Sequence, residues 1–175
     1  MALRNIREEG DEILKKTSKN VTESDIKGEK IQTLIDDMIE TMHYYKGVGL
    51  AAVQVGILKR IIVIDIEDGN IYVFINPKIL KTKGEKECEE GCLSFPNKFG
   101  KVIRPQEVVV EFFNREGKQT KLKAKDLLAQ AISHECDHLD GILFVEKVIP
   151  RNFRICWSRT KNRWKKTKMI AIFSI

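Results

Sequence analysis

The sequence is sparing with the residues that cross-link a chain or carry it through a membrane. Its 175 residues hold only four cysteines, four prolines and two tryptophans, and aromatic residues make up 7%. Four cysteines are too few for a disulfide scaffold in a chain of this length, so a reducing compartment is expected. Metal or catalytic roles for one or two of Cys88, Cys92, Cys136 and Cys156 are then the better reading. No run approaches the ~20 apolar residues needed to span a bilayer. The opening stretch, Met1 to Arg7, turns charged at once and has no apolar signal-peptide core. These deficits make secretion and membrane insertion unexpected and predict a cytoplasmic protein. Internal repeats and low-complexity stretches are absent as well.

What is present suits one globular domain with a single core: 42% of residues are hydrophobic and 32% charged. The formal charge of +6 hints at a polyanionic partner, but it is unevenly placed. Residues 151–175 contain eight basic residues and no acidic one, which leaves residues 1–150 near −2. The expected organisation is therefore a body, 1–150, and a basic tail, 151–175.

Ile31, Leu34, Ile35, Met38, Ile39 and Met42 recur at helical steps and predict an amphipathic helix from about Ser24 to Tyr45, with Ser24 or Asp25 as its cap. Gly47 and Gly49 would end it. Short β-type runs follow at 60–64 and 71–75, joined by the turn residues Asp68-Gly69-Asn70, and Pro77 is expected to end the second. Runs at 108–113 and 119–123 flank Asn114 to Lys118 and suggest a hairpin. A second helix is expected from Asp126 to about Leu139, stopped by Gly141. Helix, many short strands, then helix predicts an α+β fold with mostly antiparallel short strands around a central helix.

The sharpest pattern is His134-Glu135-Cys136-Asp137-His138 on that second helix. Positions four apart share a helix face, so His134 and His138 can bind one ion, and Glu135 can reach water beside it as a general base. A catalytic metal site needs a third protein ligand. No histidine lies downstream, and Asp140 and Glu146 are too close to belong to a later helix. A thiolate is the other option. Cys92 stands in Glu90-Gly91-Cys92-Leu93-Ser94, a loop-like setting before Pro96.

Three segments together carry a family resemblance. Gly47-Val48-Gly49-Leu50-Ala51-Ala52-Val53-Gln54, Glu90-Gly91-Cys92-Leu93-Ser94 and His134-Glu135-Cys136-Asp137-His138-Leu139-Asp140-Gly141 match, in order and spacing, the three motifs of the bacterial-type peptide deformylases. The resemblance runs from about Arg4 to Val148. It implies an enzyme that removes formyl from the N-formylmethionine of nascent peptides and releases formate. It implies Cys92, His134 and His138 as ligands of one Fe²⁺ per chain, with Zn²⁺, Ni²⁺ or Co²⁺ able to substitute. It further implies Glu135 as general base and acid, and Gln54 with the Leu93 backbone N–H as donors to the formyl oxygen. Val48 would line the methionine pocket, Gly49 and Gly91 would leave room for substrate backbone, and Glu90 would pair with Arg104.

Each residue also has a plainer reading. Gly47 and Gly49 could simply end a helix, and Cys92 could be a small buried hydrophobe. Cys136 faces another side of its helix and reads as packing. Cys88 and Cys92 lack a second cysteine pair to make a separate metal site. His43 suits a helix-dipole contact, and Asp137 and Asp140 suit capping or support of the ligands.

Val53 stands where the family usually has proline, and Ser133 where glutamine is commoner. The tail departs most. Phe153, Trp157 and Trp164 fall at helical spacing among basic residues. Such a helix would suit contact with ribosomal RNA, an anionic membrane surface, or the body itself. Two other functions compete with the deformylase reading. One is an ordinary H-E-x-x-H metallopeptidase. The other is an inactive deformylase-like module that binds ribosomes through residues 151–175.

Overall fold

The computed structural model describes residues 2–149 and the backbone of residues 154–155. The basic aromatic tail, with Phe153, Trp157, Trp164 and Cys156, otherwise lies outside the described residues.

The expected first helix is two. A single turn, α1 (Glu23–Ile26), is followed by α2 (Glu29–Tyr44). Gly28 separates them: its extended backbone caps α2, and its carbonyl accepts from the Ile31 and Gln32 amides. Ser24 and Asp25 therefore lie inside α1 and cap neither helix. Glycine and threonine hold the N-cap positions instead.

Five antiparallel strands form one sheet in the order β1-β2-β3-β6-β7. They are β1 (Gly49–Ala51), β2 (Ile61–Asp65), β3 (Ile71–Lys83), β6 (Glu107–Phe113) and β7 (Gln119–Lys125). Gly47 and Gly49 do not merely stop a helix, since Gly49 opens β1 and pairs with Ile64. Pro77 does not end the second run. β3 continues to Lys83, and its register against β6 shifts between Ile75 and Lys78. A bulge at that point accommodates the missing proline donor.

The strand β2 is apolar at successive positions because it is covered on both faces. Its period of two sends Ile61 and Val63 against α2 residues Leu34, Ile35, Met38 and Met42. Ile62 and Ile64 face the other way, toward Ile132, Cys136 and Leu139 of α3 (Asp126–Leu139). The central helix thus runs as expected, and Gly141 just beyond it has φ +74.

A second, three-stranded sheet has the order β4-β5-β8, from β4 (Lys86–Cys92), β5 (Phe95–Arg104) and β8 (Arg154–Ile155). The β4–β5 hairpin has no local signal in the sequence, because Lys86-Glu87-Cys88-Glu89-Glu90 has neither β-branched residues nor alternation. Cys92 accordingly ends a strand and is not in a loop. A short helix, α4 (Phe144–Lys147), packs Phe144 with Leu14, Cys92, Phe95 and Leu143 in a third apolar cluster. That cluster fastens α4 to the small sheet, and the Phe144 ring stands 6.0 Å from the His134 ring of α3.

Candidate active site

Helix α3 is buried on most of its circumference from Leu128 to Leu139, so its polar residues are interior groups that need partners. His134 and His138 lie one turn apart and project toward the end of β4. There the Cys92 sulfur stands 3.2 Å from His138 Nε2. One donor atom from each of Cys92, His134 and His138 lies within 4.8 Å of the others, and all three residues are buried. The edges of a tetrahedral two-nitrogen, one-sulfur site measure roughly 3.3–3.6 Å for ordinary bond lengths. The donor set suits a borderline divalent transition ion and is poorly suited to Mg²⁺ or Ca²⁺.

The ring of His134 is oriented from behind. Its Nδ1 meets Glu90 Oε2 at 2.9 Å, which leaves Nε2 for the cluster. Glu90 is fully buried and held by the expected partner: Arg104 donates through Nε at 2.8 Å and through a terminal nitrogen at 2.9 Å. Gln130 Nε2 donates to the same carboxylate at 3.3 Å. Burial opposes the Glu90 charge, but His134 and Arg104 outweigh it and hold its pKa well below the carboxylate range. The reciprocal effect raises His134 against its own burial, whereas burial beside His134 and Arg104 drives His138 down.

Glu135 lies against β1. Its Oε1 occupies the space where any side chain at Gly49 would begin. Its Oε2 has no hydrogen-bond partner among the described residues. Burial, reinforced by the negative charges of Glu90 and Asp137, pushes its pKa up to about 7. A buried carboxyl with a free oxygen and a pKa near neutrality, next to the donor cluster, is suited to proton transfer.

Gln54 sits in a 3₁₀ turn, Ala52–Val55, that follows β1. Its Oε1 accepts from the Ala51 amide at 2.8 Å, so its Nε2 must point inward. That nitrogen lies 3.5 Å from Cys92 Sγ and 3.2 Å from Ser94 Oγ. Leu93 and Ser94 form the two-residue turn of the β4–β5 hairpin, and the Leu93 side chain covers Gly47. Gly91 has the Phe99 ring packed against it, with ring atoms 2.9 Å from any added Cβ. Val48 is half-buried against the main core beside β1.

The structure therefore brings Gln54, Cys92, Leu93, His134, Glu135 and His138 to one place, with Gly49 and Gly91 on the bordering strands and Val48 just before β1. Cys136 packs in the main core, and burial pushes its thiol up to about 12, so it stays protonated. His43 contacts Asp65 at 2.8 Å at the far end of α2. Ser133 donates to the Ala129 carbonyl within its own helix. Asp140 pairs with Arg60 and Asp137 with Arg104, so neither joins the donor cluster. Three supporting groups escape a reading of the sequence. Ser94 is hydrogen-bonded to Gln54. The Arg7 amide donates to the Gln54 carbonyl at 2.7 Å, and the Glu9 amide to the Ser94 carbonyl at 2.8 Å. Backbone contacts of this type leave no side-chain signal to read.

The model of the family described as polypeptide deformylase matches residues 3–154. The chain belongs to the polypeptide deformylase family. A relative named peptide deformylase from Acetivibrio thermocellus is 57% identical over 149 residues, 85% of each chain. The crystal structure of a peptide deformylase from Legionella pneumophila superposes with a TM-score of 0.80 at 43% identity, covering 86% of this chain and 88% of that one. A class I type b peptide deformylase from Acinetobacter baumannii, bound to Met-Ala-Ser, gives 0.81 at 33% identity over 84% and 99% of the two chains. The family and this cluster of three donors together support a metal cofactor. Among the described residues, no helix is long and apolar enough to cross a membrane.

Proposed function

We propose that the chain hydrolyses the formyl group from the N-terminal formylmethionine of newly made polypeptides in the cytoplasm, releasing formate. Cys92, His134 and His138 hold one Fe²⁺, and Zn²⁺, Ni²⁺ or Co²⁺ suit the same donors. The observation that carries this reading is the Glu135 carboxyl, buried beside the three donors with one oxygen unpartnered among the described residues. The ion, when bound, polarises the formyl oxygen and makes water more acidic.

Glu135 then takes a proton from the attacking water and delivers it to the departing amine nitrogen. The Gln54 Nε2 and the Leu93 N–H donate to the formyl oxygen as it gains negative charge. Gln54 is suited to this because its carbonyl end is already occupied by Ala51. Gly49 and Gly91, on strands at either side of the cluster, border the path of the peptide backbone, and the space their side chains would fill is taken by Glu135 and by the Phe99 ring. Val48 borders the pocket for the methionine side chain. The bound tripeptide of the Acinetobacter baumannii relative begins with methionine, the residue this reaction would expose.

Residues 1–150 form the catalytic unit on this reading; residues 151–175 add β8 (Arg154–Ile155) to its small sheet and otherwise make a basic segment that contacts ribosomal RNA. The eight basic residues of that segment, set among aromatics, support it.

The test is formate release from formyl-Met-Ala-Ser by protein loaded with Fe²⁺ or Ni²⁺. Release above the blank is expected. No release with one ion bound per chain would overturn the reading, and cleavage of unformylated peptides would favour the metallopeptidase. Ribosome co-sedimentation that survives removal of residues 151–175 would exclude the tail as the anchor.

A further inference from the structure

The ion pairs behind His134 do not stop at Arg104. While two nitrogens of that guanidinium hold Glu90, the third reaches Asp137 Oδ2 at 2.5 Å. Asp137 is in turn gripped by Lys147, whose ammonium lies 2.7 Å from Oδ1 and 2.6 Å from Oδ2. Lys147 is the last residue of α4, the helix that also sets the Phe144 ring 6.0 Å from the His134 ring.

We propose that Lys147 is a positioning residue for the metal centre, acting on His134 through Asp137, Arg104 and Glu90. The inference rests on the reading that Cys92, His134 and His138 hold the ion.

The charges alternate along this line, and exposure falls steadily from 38% at the Lys147 side chain to 15% at Asp137, 3% at Arg104 and none at Glu90. An exposed ammonium acts weakly at a distance, so its effect on His134 is geometric and not a direct field. By occupying both Asp137 oxygens, Lys147 limits what Asp137 can draw from Arg104. Arg104 is already shared between two carboxylates, and with Lys147 gone it is the cation left to Asp137. It then turns toward Asp137, and its paired contact with Glu90 loosens. Glu90 Oε2 is the atom that fixes the His134 ring, so the ring gains freedom and the ion is held less well. The competing account is a surface ion pair that matters little to anything.

The experiment uses the full chain loaded with Co²⁺. It compares the parent with Lys147→Met, Lys147→Arg, Asp137→Asn and the double variant Asp137→Asn/Lys147→Met. The readouts are the visible spectrum of the bound Co²⁺ and the rate at which a chelator removes it. Partners that orient metal ligands are worth about 10–100-fold in affinity or activity. Lys147→Met is expected near the lower end, about ten-fold faster release, with a shifted spectrum. Lys147→Arg should restore both to near the parent, and Lys147→Met should add nothing once Asp137 is Asn. On formyl-Met-Ala-Ser, kcat should fall while KM stays, because no substrate contact changes. Parent-like release and spectrum in Lys147→Met would overturn the proposal, even if its ion-free form melts earlier. Arginine failing to rescue, or fully additive effects in the double variant, would overturn it too. A parent chain that takes up no Co²⁺ would instead sink the metal reading beneath it.

Discussion

The Glu135 carboxylate and the Gly49 backbone are in direct apposition: a Cβ at position 49 would also stand 3.0 Å from Glu135 Cγ and Cδ. One must move if the other grows. Gly49→Ala is therefore expected to swing the Glu135 carboxyl away from the donor cluster while leaving Cys92, His134 and His138 in place. Misplacing a reacting group by about 1 Å costs on the order of 100-fold in rate. Bound metal per chain should stay at the parent level in elemental analysis while formate release falls by about that factor. Parent-like turnover would show that the contact constrains nothing.

Glu135→Gln keeps the shape but removes the base. Metal content should hold, and kcat should fall by about 100- to 10,000-fold, the usual worth of general acid–base catalysis. In the parent, Glu135 must be ionised to take a proton, so activity rises with pH through its pKa. Burial pushes that pKa from 4.5 up to about 7, and a bound cation draws it back down. The acidic limb of kcat/KM should thus have its midpoint between those two values. A limb outside that window, or one that persists in Glu135→Gln, would assign the titration to another group.

Gln54→Leu removes the inward-pointing amide while keeping an apolar side chain of similar reach. The donor is worth about 3 kcal/mol in the transition state, so kcat should drop by about 100-fold or more with little change in KM. Steady-state kinetics on formyl-Met-Ala-Ser make the distinction. A rise in KM alone would mean that Gln54 serves binding and not the developing charge.

Glu90 supplies a stability test in acid. Its folded pKa is held far below the unfolded value near 4.5, because His134 and Arg104 together outweigh the cost of its burial. The sign follows from that depression. The stabilisation is complete above the unfolded pKa and is lost as pH falls below it. Glu90→Gln leaves the buried Arg104 with Asp137 as its remaining carboxylate and should cost up to about 3–5 kcal/mol near neutral pH. Thermal melts of both proteins should converge as pH drops from about 5 toward 3. A constant gap across that range would show that the Glu90 charge is not what stabilises the fold.

Much of the site is legible in the sequence because helical spacing is a local property. His134 and His138 share a face at any tertiary arrangement, and the boundaries of α3 follow from its apolar stripe and Gly141. The Glu90–Arg104 pair is also expected, and it is present at 2.8 and 2.9 Å. The sequence misleads where partners override local pattern. The charged run Lys86-Glu87 and Glu89-Glu90 gives no sign of a strand, yet β4 is held extended by its register with Val102, Lys101 and Gly100 of β5. Gly28 cuts the first helix because a backbone cap outweighs a continuous apolar stripe. Pro77 fails to end β3 because a bulge takes up its missing donor.

By itself, then, the sequence determined the α+β class, the metal-binding helix, the three motifs and the division of charge between body and tail. These rest on spacing, composition and residue chemistry, which need no partner. Only the tertiary structure decided that Glu135 lies against Gly49, that Gln54 is turned inward beside Cys92 and Ser94, and that Glu90 orients the His134 ring. Each of those joins residues far apart in the chain. Their contacts exist only because burial removes water and obliges every interior polar group to find a partner.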